Sequence, residues 1–476
     1  MRVPSFLLAV LSGVLTCIGG EVAAQAPVPP PGGPTAAVPR ATSDADLQLR
    51  QSVRRAIAAY FGVAIEDIDD RTDLLRDLHA DAMDAYEIVA MLCREHGVAV
   101  TTRDDLTTVG AIVEYLRTAP AVEPAIALRG DKPRPGAEGP KAEQIATRIV
   151  FYATDRRPTG RPAPDDYFGG ERQSGGTLSY GICEVTIPVG AHRPGTAEEP
   201  EWYKLEWNED PAKHLVLKAI RPLERAAFYN DIRSHSKAAG LDTFVFIHGY
   251  NVAFGRAARR SAQIAYDLDF PGVPVLFSWP SAGKMTAYFS DRESAEWSAP
   301  HLALFLEEVL AQVKGGRLHV LAHSMGNQVL IRALNEIALR RGPAGPVLFE
   351  NVILAAPDFD AQAFVDQIAP RVVSLSRRWT IYASDKDRAL DASAALAAQR
   401  LGLPLPMARG MDTIDASGVD VAPWSVPEFH TYFASKQRVI TDLAQVLRGL
   451  APDRRRLVPK SKGDLPYWSL PPVGSP

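Results

Sequence analysis

The chain has 476 residues, 46% of them hydrophobic and 23% charged, with a formal net charge of −4. That length exceeds one ordinary domain and the apolar share suffices for buried cores, while the charge leaves no basic excess of the kind that binds nucleic acid. Three cysteines are too few for a disulfide framework, and no CxxC, HExxH or clustered His/Asp pattern marks a metal site, so neither metal nor cofactor is expected.

Arg2, an apolar run from Val3 to Ile18 and then Glu21-Val22-Ala23-Ala24-Gln25 have the layout of a secretory signal peptide. Residues 1–24 are therefore expected to direct export, to the periplasm or the medium, and to be cleaved. Cys17 offers lipidation as the alternative, although Thr16 is a poor residue before a lipidated cysteine. The apolar run is short for a membrane span, and nothing later in the chain qualifies as one. Two Pro/Gly-rich stretches, 25–43 and 119–145, the second containing Pro133-Arg134-Pro135-Gly136, read as extended linkers.

Between those linkers, residues 44–118 carry three helical stripes: Leu49, Val53 and Ile57; Met83, Tyr86, Val89 and Cys93; Ile112, Tyr115 and Leu116. A small all-α bundle is expected. It holds 15 acidic against 8 basic side chains, a net of −7. Such a face either steers a basic partner, docks on the rest of the chain, or is simply solvated. Cys93 here and Cys183 beyond the second linker sit in apolar periodic segments and read as buried free thiols.

From 146 to 450 the pattern changes to short apolar strands alternating with helices, which predicts an α/β fold with a mostly parallel sheet. The strand Thr243–Ile247 runs into His248-Gly249-Tyr250-Asn251, and Val273–Ser278 into Trp279, read either as pocket lining or as core. Ser281-Ala282-Gly283-Lys284-Met285 has the ending of a phosphate-binding loop, but Ser278 and Met285 break its pattern and no nucleotide site is assigned. At Leu318–Asn327 a buried strand turns sharply into a helix, with Ser324 at the bend between Ala322 and Gly326. Nucleophilic serines are held on such elbows, with the oxyanion donors being the N–H after the serine and one from an earlier strand-end loop. Met325 and Tyr250 occupy those positions, and each donor can contribute about 3 kcal/mol.

The acid and histidine follow the serine in chain order. His430 is the only histidine after Ser324. The strand Trp379–Ala383 ends at Asp385 and Asp387, of which Asp387 is favoured. Asp358 and Asp360, closing the strand 351–356, are the fallback. The basic, Pro-rich tail 451–476, with Arg454-Arg455-Arg456, Lys460 and Lys462, is expected to be solvated, or else to touch the acidic bundle or an anionic surface.

Residues 146–450 resemble α/β-hydrolases of the esterase/lipase-like kind whose specificity is uncharacterised. The likeness rests on Tyr152-Ala153-Thr154-Asp155-Arg156, Leu178-Ser179-Tyr180-Gly181, Val185-Thr186-Ile187-Pro188, HGYN at 248–251 and Phe277-Ser278-Trp279-Pro280-Ser281. It extends through His323-Ser324-Met325-Gly326-Asn327, Ala355-Ala356-Pro357-Asp358, Tyr382-Ala383-Ser384 and Asp387. Around His430 the match is looser, since such proteins tend to have a glycine before the histidine and this chain has Phe429. The bundle resembles an acyl carrier protein through Phe61-Gly62-Val63, Asp73-Leu74-Leu75-Arg76-Asp77-Leu78, Asp81-Ala82-Met83-Asp84 and Thr108-Val109-Gly110. Carriers hold phosphopantetheine on the serine of Asp-Ser-Leu; here Ala82 stands there, and no Ser or Thr lies between Thr72 and Thr101. The resemblance implies a carrier fold without carrier chemistry.

Together these readings predict an exported serine hydrolase of carboxylic esters, small or lipid, with Ser324, Asp387 and His430 as the triad and Tyr250 and Met325 as oxyanion donors. An acyltransferase with the same triad is the first alternative. A catalytically silent interaction protein that uses the bundle to bind a partner is the second.

Overall fold

The computed structural model of the chain describes residues 44–61, 63–78, 88–89, 91–93, 96, 98, 106–119, 145–198, 209–239, 242–284, 287–312, 316–342, 345–387, 390, 393, 399–402, 408–418 and 436–471. The expected signal peptide, the interiors of both linkers, Ala82 and His430 lie outside them. Contacts divide the chain into residues 1–47 and 48–476, and the described structure lies almost wholly in the second unit.

Helix α1 (Asp44–Phe61) buries Val53 and Ile57, and helix α2 (Val109–Thr118) buries Ile112, Val113 and Leu116. They share one small core with Leu74, Ile88, Leu92 and Cys93, so stripes from three parts of the segment meet as their helical period requires. Thr108 caps α2 by accepting the Ala111 N–H at 3.2 Å. Asp73 accepts from the Leu75 and Arg76 N–H groups and from the Thr107 hydroxyl, which closes the turn between the two helices' segments.

The rest of the described chain builds a large sheet and a separate two-stranded one, Arg156–Pro158 with Phe168–Arg172. In order come β1 (Ile145–Thr154), β2 (Arg156–Pro158), β3 (Phe168–Arg172), β4 (Ser179–Pro188), β5 (Val216–Leu223), α3 (Arg225–Ala239) and β6 (Thr243–Ile247). Then follow α4 (Phe254–Asp267), β7 (Val273–Ser278), α5 (Tyr288–Gln312), β8 (Leu318–His323), α6 (Gly326–Arg341) and β9 (Phe349–Ala355). The last are β10 (Ser376–Ala383), β11 (Asp412–Asp415), α7 (Gln437–Leu447), β12 (Val458–Lys462) and β13 (Leu465–Ser469).

The sheet order is β12-β13-β11-β10-β9-β8-β6-β7-β1-β4-β5, parallel from β13 to β1 and antiparallel at both edges. This is the mostly parallel sheet expected, covered on both faces. Val245 and Ile247 of β6 join Val320, Val352 and Ile381 in a core under α3, α5 and α6. Phe244 and Phe246 join Leu321, Ile353 and Tyr382 in a second core under α4 and α7. Period-two alternation thus sends neighbouring residues to opposite cores, which is why these strands read as unbroken apolar runs. Cys93 and Cys183 are buried and unbridged, and burial pushes the Cys183 thiol up, far from a reactive thiolate.

The strand order reverses between β6 and β8. From β6 the chain steps to β7 on one side, then returns to place β8 on the other, with Ile247 level with Ala322. Loops leaving the carboxyl ends of such a pair diverge and open a crevice.

The tail corrects the sequence reading. Rather than being solvated, it forms a β12–β13 hairpin that pairs with β11 at Ile414 opposite Trp468 and buries Leu470. Arg455 is buried with Nη1 3.4 Å from the Asp442 carboxylate. The open side of β11 offers unpaired backbone groups, and strand addition satisfies them. Pro459 and the exposed Lys460 and Lys462 then blunt the new outer edge.

A buried imidazole ties the loop after β4 to the end of α4. His192 Nδ1 lies 2.8 Å from Glu198 Oε2 and Nε2 2.7 Å from Asp267 Oδ1, with the ring 4% exposed. Burial alone would lower its pKa, but the two carboxylates prevail and raise it to about 9. The group is therefore cationic at neutral pH, and its contribution is complete below about pH 6.5, the unfolded value, and is lost as the pH rises through about 9. Thermal melts from pH 7 to 10 should show a steeper fall in midpoint for the wild type than for His192→Gln. Parallel curves would show that the clasp contributes nothing.

Candidate active site

Ser324 sits between β8 and α6 with φ of 52°, a left-handed conformation costing a non-glycine residue about 1–2 kcal/mol. Its surroundings over-determine it. The Ser324 N–H donates to Ala355 O at 3.0 Å, at the end of the neighbouring strand. Its carbonyl accepts from the Asn327 N–H and side-chain amide, both at 3.0 Å, and from the Asp358 N–H at 3.3 Å. Asn327 also donates to Ala355 O at 3.2 Å and so links elbow and strand. Strain sustained this way is typical of a functional position.

The small residue after the elbow has a specific cause. A Cβ on Gly326 would fall onto the His248 carbonyl and stand 2.9 Å from that of Ile247, so α6 starts directly against the end of β6. On the other side, a Cβ on Gly249 would meet Ser324 Cβ at 2.9 Å and His323 Nδ1 at 3.0 Å. Two glycines thus let the HGYN loop press against the serine. Met325 is the N-cap of α6; the first N–H groups of a helix lack intrahelical acceptors and carry its positive end.

Within the loop, His248 is 1% exposed and serves as structure. Nδ1–H donates to Gly249 O at 2.9 Å, the ring stacks on Trp279 at 5.2 Å, and Trp279 Nε1–H donates to the His248 carbonyl at 2.7 Å. Burial, then the nearby Arg156 cation, lower the His248 pKa to about 3, so it stays neutral. Trp279, fully buried, is a core residue rather than pocket lining. Tyr250 packs edge-on against Tyr288 at 5.5 Å, and Asn251 turns the chain with φ of 56°.

The aspartates separate clearly. Asp387 is fully buried just beyond β10 and accepts the Leu390 N–H at 3.1 Å, whereas Asp385 is exposed. The fallback acids are engaged elsewhere. Asp358 pairs with Arg400 at 3.1 Å and accepts from Ser393 and Tyr288 at 2.8 and 3.1 Å. Asp360 caps a short helical turn by accepting the Ala363 N–H at 2.8 Å. Ser324, Tyr250 and Met325 converge at the β6/β8 crevice, and Asp387 ends a strand on the same edge of the sheet. His430 lies outside the described residues. Sequence reasoning assigned no role to Arg156 or Asp291, which bracket the HGYN loop; Arg156 stood in a family motif, while Asp291 carried no signal because its role depends on which loop its helix reaches.

Residues 224–448 match the family model "Alpha/beta hydrolase of unknown function (DUF900)", and residues 51–116 match "Phosphopantetheine attachment site". β1, β4 and β5 precede the first of these matches and belong to the large sheet by pairing alone, while β2 and β3 pair with each other in a separate two-stranded sheet. The chain is 38% identical to an uncharacterized protein, alr1448, of Nostoc sp. over 63 residues, 13% of this chain and about a sixth of that protein. It is 27% identical to the acyl carrier protein of Chlamydia muridarum over 73 residues and 26% identical to that of Chlamydia caviae over 74 residues. Those matches cover 95% and 96% of the carriers and 15% of this chain. A phosphodiester needs a hydroxyl, and Ala82 has none, so the residues present do not fit phosphopantetheine at that position.

Proposed function

We propose that this chain, whose residues 224–448 match an α/β-hydrolase family of unknown function and whose residues 51–116 match a phosphopantetheine attachment site, is an exported serine hydrolase of carboxylic esters. The observation that supports this most is the strained Ser324 at the sheet's switch point, with Gly249 of the HGYN loop pressed against it.

Ser324 Oγ attacks the ester carbonyl while His430 accepts its proton. Asp387 orients His430 and stabilises the imidazolium. The carbonyl oxygen becomes an oxyanion held by the Tyr250 and Met325 N–H groups. As the tetrahedral adduct collapses, the C–O bond to the alcohol breaks and His430 returns the proton to the leaving oxygen. Water, deprotonated by His430, then attacks the acyl-serine; the bond from the acyl carbon to Ser324 Oγ breaks, His430 returns the proton to Oγ, and the acid is released. In this reading residues 1–24 direct export, and the acidic helical segment serves a partner rather than a prosthetic group.

The test offers purified full-length protein a panel of chromogenic esters of increasing acyl length, with fluorophosphonate labelling in parallel. Label on Ser324 and release of free acid are expected. Folded protein that neither labels nor turns over any ester would instead favour a silent interaction protein. Products formed with an added alcohol distinguish transfer from hydrolysis.

A further inference from the structure

The Arg156 guanidinium, 1% exposed, is buried beside the HGYN turn and makes several hydrogen bonds there. Nε–H donates to Ser278 Oγ at 2.8 Å. Nη1–H donates to Gly169 O at 3.0 Å and to Ser281 O at 2.8 Å. Nη2–H donates to Val252 O at 2.7 Å and lies 3.3 Å from His248 Nε2. One side chain thus joins β3, the loop after β7 and both ends of the HGYN turn.

Asp291, at the start of α5, holds the same turn from the opposite charge. Its carboxylate, 1% exposed, accepts from Ser281 Oγ at 2.5 Å and Ala282 N–H at 2.8 Å, and also from the Asn251 N–H. Ser281 Oγ in turn accepts the Val252 N–H at 3.1 Å. Asn251 is the left-handed residue of the turn, and anchoring its N–H fixes the Tyr250–Asn251 peptide. The preceding peptide, which carries the Tyr250 N–H, is held by its Gly249 carbonyl, which accepts from His248 Nδ1–H at 2.9 Å while Arg156 faces the other nitrogen of that ring. The cation and anion compensate each other: burial lowers the Arg156 pKa to about 10, with Asp291 and then Asp155 opposing the shift. The two charges meet through Ser281, whose carbonyl accepts from Arg156 Nη1–H and whose hydroxyl donates to Asp291.

We propose that Arg156, working with Asp291 through Ser281, is the positioning residue that holds the HGYN turn so that the Tyr250 N–H points at the oxyanion. The proposal rests on the hydrolase reading above and deepens it. Neither residue touches substrate. Lysine retains the charge of Arg156 but has three donors on one nitrogen, and cannot span four segments in a plane.

The experiment compares wild type and Arg156→Lys by active-site titration with a fluorophosphonate, by the rate of that labelling and by kcat and KM on the best ester of the panel. Expected are an unchanged end-point titre, labelling and kcat per titrated site lowered by about a hundredfold, and KM changed by less than about threefold. A merely structural role would lower the titre and leave kcat per titrated site intact, which overturns the proposal. Should Arg156→Lys not fold, Asp291→Asn is read in the same way, and after it Ser281→Ala, which removes a single hydroxyl. Wild-type kcat per titrated site in the variant so chosen overturns the proposal. Failure of the wild type itself to label refutes the hydrolase reading instead, so the two failures are distinct.

Discussion

Replacing Ser324 by alanine is expected to lower ester turnover by at least about a thousandfold. The substitution keeps a Cβ and so keeps the left-handed strain, the backbone hydrogen bond to Ala355 and those from Asn327 and Asp358. The melting temperature should therefore move little while activity is lost. His430→Ala is expected to cost about as much, and the double variant little more, because members of a triad act as one unit and their losses do not add. Ester turnover by each protein, with mass spectrometry of the labelled peptide, checks this. Wild-type rates in either single variant would falsify the assignment of the nucleophile or of the base.

The second large effect separates two neighbouring carboxylates. Asp387→Asn preserves shape but removes the charge that would stabilise an imidazolium, and is expected to lower kcat by roughly a hundred- to ten-thousandfold. Asp385→Asn should change kcat by less than about threefold, since that side chain is exposed at the turn while Asp387 is fully buried. Kinetics of the two variants side by side decide the matter, and a larger loss at Asp385 would reverse the roles.

Much of this is legible in the sequence. β6, β7, β8 and the strand before Asp387 announce themselves as short apolar runs, because a parallel sheet covered on both faces leaves no polar side to interrupt the pattern. The elbow was legible for a related reason: buried strand, bend and apolar helix leave Ser324 only one place to stand. Other features depend on which distant segments come together. The sequence favours Asp387 over Asp385 without separating them physically, and the packing beneath β10 buries Asp387 while Asp385 stays exposed. Asp358 looked available until Arg400, Ser393 and Tyr288 closed around it. The tail's composition reads as solvated, yet the free edge of β11 recruits it, and no local propensity records an unpaired edge elsewhere in the chain.

The sequence by itself determined the class of fold, the candidate nucleophile and oxyanion loop, and the absence of a hydroxyl at position 82, because each follows from local periodicity or from the chemistry of a single side chain. Only the tertiary structure decided that Gly249 and Gly326 let two loops touch at the β6/β8 reversal, and that a buried Arg156 and Asp291 grip the turn between them. Those facts concern distances between residues far apart in the chain, and such distances are set by the register of the sheet and the packing of its helices rather than by any one segment's preference.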